Sequence, residues 1–152
     1  MKTVKFLFFV LFSAIVSLFA TGCSSDDDVH QDEHYEHDAA TFKEKIETAQ
    51  SQGKKYQIID YRSKAEYEAG HIPGAVWVAE ATNQNMGDNS FATLLKNTYG
   101  TDSFMFIYGG KNSALMMTLA GSISSAGFGK NHTRALVGGF DAWVKAGYDV
   151  EK

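Results

Sequence analysis

DYRSKAEYEAGHIPGA, residues 60–75, is the stretch on which the reading of the fold turns. Tyr56-Gln57-Ile58-Ile59-Asp60 reads into it as a short strand, so Asp60 ends a strand. Ser63 can cap a helix of one to two turns running to Ala69. Gly70 closes that helix, where a left-handed backbone costs little. Pro73-Gly74 makes a tight turn into a second short strand, 75–78. Arg62 stands two residues beyond Asp60 and can pair with it or with Glu66, and such a network would pin the turn. Asp60, Arg62, Glu66, Gly70, His71 and Gly74 therefore read mainly as supports of the fold, His71 as a hydrogen-bonded turn histidine.

Outward from this stretch, helical and extended segments alternate. Upstream, Asp38 can cap a helix from Ala39 that carries Phe42, Ile46 and Ala49 on one face and stops at Gly53. Downstream, Asp88, Asn89 and Ser90 open a helix bearing Phe91, Leu94, Leu95 and Tyr99, and Gly100 ends it. Phe104-Met105-Phe106-Ile107-Tyr108 is apolar throughout, as a strand buried on both faces should be. A helix from about Ser113 to Ala126, a strand from Thr133 to Val137 and a short helix from Phe140 to Lys145 follow. This alternation predicts an α/β fold: one domain with a central, mostly parallel sheet and helices on both faces. Sites in such sheets lie at the carboxyl ends of the strands, which points to the loop after Tyr108. Met105, Met116 and Met117 read as core filler, Trp77 and Trp143 as packing residues, and His132 as a surface residue in a loop of turn composition.

The N-terminal segment is of another kind. Lys2 and Lys5 precede an apolar run, Phe6 to Ala20, interrupted only by Ser13 and Ser17. This is the layout of a secretory signal over residues 1–22, and it is short for a membrane span, which takes about 20 apolar residues. Ala20-Thr21-Gly22-Cys23 resembles the lipobox of bacterial lipoproteins, which implies that Cys23 is lipidated and becomes the mature N-terminus. Cys23 is the only cysteine, so the chain can form no internal disulfide and has no cysteine-rich zinc site. Residues 23–37 hold six acids and no Lys or Arg, whereas 38–152 holds twelve of each sign. The first of these is expected to be a flexible acidic tether that sets the domain about 20 Å from a membrane. Ser24-Ser25-Asp26-Asp27-Asp28 resembles the acidic export signal of surface-exposed lipoproteins, and a solubilising spacer reads nearly as well. The expected location is the bacterial cell envelope, lipid-anchored, with display on the outer membrane as one option. His30, His34 and His37 would share one face of a helix, but nothing organises them in advance, so they are weak metal candidates. No metal and no cofactor is expected. The pI near 5.7 argues against nucleic acid as a partner.

The 60–75 stretch is similar to the rhodanese signature, D-x-R-x-x-x-E-aromatic-x-x-G-H-I-x-G-A, at every specified position. Gly138-Gly139-Phe140-Asp141-Ala142-Trp143 resembles the G-G-x-x-x-W ending of the same family; the likeness spans roughly residues 38–148, and the domain is expected to occupy 38–152. The resemblance implies a cysteine just after the strand at 104–108 that would accept sulfur as a persulfide. Counting forward from Tyr108 puts this position at Gly109, and counting back from Ala126-Gly127-Phe128 puts it at Gly110. Glycine cannot be a nucleophile, so no catalytic residue is expected in this loop and sulfur transfer by the family mechanism is not expected. Gly109, Gly110, Lys111, Asn112, Ser113 and Ala114 could instead form an anion-binding loop at the start of a helix. The leading expectation is a membrane-tethered binding or interaction module whose partner is a small anion or a protein. The alternatives are a sulfurtransferase-related or hydrolytic enzyme using Ser113, Lys111 or a bound metal at the same loop, and a degenerate copy with little function.

Overall fold

A computed structural model of the chain describes residues 35–78, 90–111 and 113–152. The signal segment, Cys23, His30, His34, the expected helix opening at Asp88 and Asn89, and Asn112 lie outside the described residues. The elements run β1 (Glu36–His37), α1 (Ala39–Ser51), β2 (Tyr56–Asp60), α2 (Lys64–Ala69), β3 (Ala75–Trp77), α3 (Ser90–Tyr99), β4 (Phe104–Tyr108), α4 (Ser113–Ile123), β5 (Thr133–Leu136) and α5 (Gly139–Lys145). The five strands form one sheet in the order β1-β5-β4-β2-β3, and every pairing is parallel.

Strand alternation splits the core in two. Ile58, Phe106, Tyr108 and Leu136 meet α1 through Phe42, Ile46 and Ala49, together with Trp143 of α5. Ile59, Met105, Ile107 and Ala135 face the other way, against Phe91 and Leu95 of α3 and Met116, Leu119 and Ile123 of α4. The strand β4 lies at the centre of both layers, which is why its five residues are all apolar.

Four features differ from the sequence reading. The sheet takes in Glu36–His37, which the charge pattern assigns to the tether, because their backbone pairs with Ala135 and Leu136 at the open edge of β5. His37 thus sits in a strand and not on a helical face shared with His30 and His34. Among the described residues no cluster of three His, Cys, Asp or Glu could hold a metal. The helix after the loop is regular only to Ile123; a widened turn, Ser124–Phe128, completes it, with Gly127 at φ 111°. His132 is not a plain surface residue: its ring packs on Phe104 at 4.5 Å between centroids, and Nδ1 lies 3.3 Å from the Thr101 carbonyl.

The short helix α2 fully buries none of its residues; Tyr67 packs against the core and a local cap closes its N-terminus. Ser63 Oγ accepts the Glu66 N–H at 3.3 Å, and Glu66 Oε2 accepts the Ser63 N–H at 3.0 Å and the Ser63 hydroxyl at 2.6 Å. This reciprocal cap holds the Glu66 carboxyl below its ordinary value, chiefly through the Ser63 side chain and then its backbone. A depressed carboxyl adds stability above its unfolded pKa and loses it as pH falls through the folded value. Ser63→Ala is expected to cost about 1 kcal/mol at pH 7. The gap from wild type should narrow below about pH 4 in thermal melts taken across the acid range.

Candidate functional site

At the carboxyl end of β2 the chain turns on a buried ion pair. Asp60 is fully buried and accepts from the Arg62 backbone N–H at 2.9 Å, from Nε at 3.0 and 3.1 Å, and from Nη2 at 2.6 Å. Nη2 also donates to the Gly70 carbonyl at 2.6 Å, tying the end of β2 to the end of α2. The guanidinium lies 3.9 Å from the Phe140 ring centroid and 5.5 Å from that of Tyr108. Burial works against its charge, and the Asp60 carboxylate more than offsets this, so Arg62 is held above its ordinary pKa. Removing one partner of such a pair costs about 3–5 kcal/mol, because the other is left charged and buried. Of the two partners open to Arg62 in the sequence reading, Asp60 is therefore the one it takes, and Glu66 serves the cap.

The remaining signature residues are structural by geometry. His71 is 8% exposed, stacks on Tyr67 at 4.0 Å between centroids, and has Nδ1 3.0 Å from the Tyr67 carbonyl. Its Nε2 faces Glu151 Oε2 at 3.8 Å, while its backbone pairs with that of Glu151 in both directions. The ring is thus engaged with Tyr67 and with the C-terminal segment. Gly70 is extended, at φ 162°, and not left-handed; a Cβ there would come within 2.9 Å of the Val150 side chain, so close approach is what favours glycine. Gly74, at φ 75°, does occupy the left-handed region in the turn before β3.

Tyr61, between the two members of the ion pair, decides the character of the loop. Its N–H donates to the Tyr108 carbonyl at 3.1 Å, and its hydroxyl donates to Met116 Sδ at 3.4 Å. The ring lies over Gly109. A Cβ built on Gly109 would fall 2.1 Å from Tyr61 Cζ and 2.4 Å from its hydroxyl oxygen, whereas one built on Gly110 would meet nothing within 4 Å. Burial, and then the Asp60 charge, push the Tyr61 phenol up to about 12, so it stays protonated at neutral pH. In the signature, Tyr61 is an unspecified position. No local signal marks it, because its role arises only where β2 and β4 end side by side.

The loop is gripped from the opposite side by the start of α5. The Phe140 N–H donates to the Gly109 carbonyl at 2.9 Å. Gly139, at φ 59°, approaches so closely that a Cβ would come within 2.1 Å of the Gly109 oxygen and 2.5 Å of the Gly110 oxygen. The two carbonyls converge on α5, and all peptide bonds of the described residues are trans. In a trans peptide the N–H opposes the C=O, so the N–H groups of Gly110 and Lys111 point away from α5. Lys111 is exposed. The side chains of Ser113 and Ala114, like Asn112, lie outside the description.

A family model for the rhodanese-like domain matches residues 38–146. The chain belongs to the rhodanese-like domain family. No curated protein matches it. Among solved structures, the rhodanese-like domain of the Alr3790 protein from Anabaena is similar at 24% identity and TM-score 0.56, over 78% of this chain and 79% of that one. The BH2092 protein from Bacillus halodurans is similar at 21% identity and TM-score 0.55, over 77% and 76%. A thiosulfate sulfurtransferase from Pseudomonas aeruginosa aligns at 23% identity and TM-score 0.55, over 76% of this chain but 19% of its own length. These likenesses agree on the rhodanese-like fold.

The contrast between the two loop glycines is measurable. Gly109→Ala must displace the Tyr61 ring and should destabilise the domain by about 1–3 kcal/mol. Gly110→Ala should stay within about 0.5 kcal/mol of wild type. Urea unfolding of the two variants compares them directly.

Proposed function

We propose that this rhodanese-like domain is a binding module without sulfurtransferase activity, held at a bacterial envelope membrane by lipid on Cys23. The observation that carries this reading is the packing of Tyr61 against Gly109. Where the family resemblance leads one to expect a thiol, the chain has two glycines, and a ring occupies the space beside the first. The sole cysteine lies in the lipobox-like stretch and would be consumed by acylation. The ligand proposed for the loop is a small anion such as thiosulfate, sulfate or phosphate. Support comes from the N–H groups of Gly110 and Lys111, directed away from α5, and from the Lys111 cation beside them. Among the described residues no helix is long and apolar enough to cross a membrane, and the anchor reading rests on the N-terminal sequence.

A cyanide-dependent thiocyanate assay with thiosulfate, together with persulfide labelling, is expected to give no turnover above a buffer blank. Turnover would refute the reading. Isothermal titration with thiosulfate, sulfate and phosphate is expected to show binding that Lys111→Ala weakens several-fold, in line with the loss of one charge-assisted contact. Equal binding by the two proteins would remove the anion site. For the anchor, radiolabelled palmitate should enter the wild-type chain in a bacterial host and fail to enter Cys23→Ala.

A further inference from the structure

The C-terminal segment, 148–152, folds back onto the signature stretch. The Trp143 indole N–H donates to the Asp149 carbonyl at 2.8 Å, and the Tyr148 ring lies 4.9 Å from that of Trp143. Further along, the hold is on the turn before β3. His71 and Glu151 exchange both backbone bonds at 2.9 Å, and the Gly74 N–H donates to Glu151 Oε2 at 3.0 Å. Both nitrogens of the His71 ring face groups that can only accept. Nδ1 lies 3.0 Å from the Tyr67 carbonyl, so it must carry a hydrogen. Nε2 faces a Glu151 carboxylate oxygen at 3.8 Å. A neutral ring with its proton on Nδ1 turns a lone pair toward that carboxylate, whereas a doubly protonated ring turns an N–H toward it.

We propose that His71 and Glu151 form a proton-controlled latch, which holds the C-terminal segment on the turn before β3 more tightly when the ring is charged. The ring is nearly buried and Glu151 is more than half exposed, so the carboxylate can follow the ring as its charge changes. Histidine is the side chain that takes up a proton in mildly acidic water, so the latch tightens as pH falls below neutral and slackens as it rises. The other polar groups that meet the ring or its turn are spent elsewhere. Tyr67 of α2 stacks on the ring at 4.0 Å, and its hydroxyl donates to the Ala75 carbonyl at 3.0 Å. The Tyr108 hydroxyl accepts the Ile72 N–H at 3.1 Å. Arg62, which holds the Gly70 carbonyl, is paired with Asp60. Asp149 and Lys152, on the segment itself, are exposed. The latch makes no use of the Gly109 loop, so it stands or falls apart from the anion reading.

The test is amide hydrogen exchange, followed by NMR on the ¹⁵N-labelled full chain. Wild type is compared with Glu151→Gln, which removes the charge and keeps an oxygen for the Gly74 N–H. The reporter is the His71 N–H, which donates to the Glu151 carbonyl. Residue 151 is distant from 71 in sequence, so the ratio of the two exchange rates at one pH reads how often the latch opens. At about pH 5.5 the His71 N–H is expected to exchange about threefold faster in the variant, the scale of one partly exposed ion pair. At about pH 8 the two rates should agree within about 1.5-fold. The Ile107 N–H, in the central strand, should exchange alike in both proteins. Equal His71 rates at the lower pH, the same ratio at both pH values, or an equal effect on Ile107 would each overturn the proposal.

Discussion

The buried pair of Asp60 and Arg62 is the constraint on which the rest of this domain depends. A carboxylate with no exposed surface is tolerable only when its charge is met and its oxygens are bonded, and Arg62 does both within two residues. The same guanidinium holds the Gly70 carbonyl and lies against Phe140. One side chain thus joins the end of β2, the end of α2 and the start of α5. The first and the last of these flank the loop after β4, through Tyr61 and Gly139. Because the pair lies under the protein surface, bulk salt screens it far less than it would an exposed bridge.

The pair also settles where Tyr61 goes. With Asp60 and Arg62 drawn together on one side, the residue between them is turned toward the end of β4, where its N–H meets the Tyr108 carbonyl and its ring covers Gly109. The loop is then enclosed by Tyr61 on one side and by the glycine-led start of α5 on the other. Glycine at 109 is a steric requirement of this arrangement, whereas at 110 the backbone is ordinary and the space is open. The space beside Gly109 is taken by a phenol that burial keeps protonated.

The alternation of β4 ties the loop to the signature stretch. Its even-numbered residues all face α1: Phe104 and Phe106 pack there, while Tyr108 reaches the turn before β3 and accepts the Ile72 N–H through its hydroxyl. The same turn takes the C-terminal segment, through the paired backbones of His71 and Glu151.

Much of this was legible from residue patterns. The period-2 and 3.6 alternation predicts the strands and helices, because each element must hide one face or two. The capping role of Ser63 and the turn at Gly74 were readable because their causes lie within a few residues. The paired state of Arg62 was readable only as a choice between Asp60 and Glu66; the choice depends on which carboxylate is buried, and that depends on packing. The extra strand Glu36–His37 was missed because its residues are polar and its reason for existing is the unpaired edge of β5, almost a hundred residues away. Tyr61 over Gly109, Gly139 against the loop and Glu151 against His71 are likewise meetings of distant segments. By itself, then, the sequence determined the family, the alternating elements and the absence of a thiol after β4. Tertiary structure alone decided what lies against Gly109 and how α5 grips the loop, since contacts between segments far apart in the chain leave no periodic trace within either one.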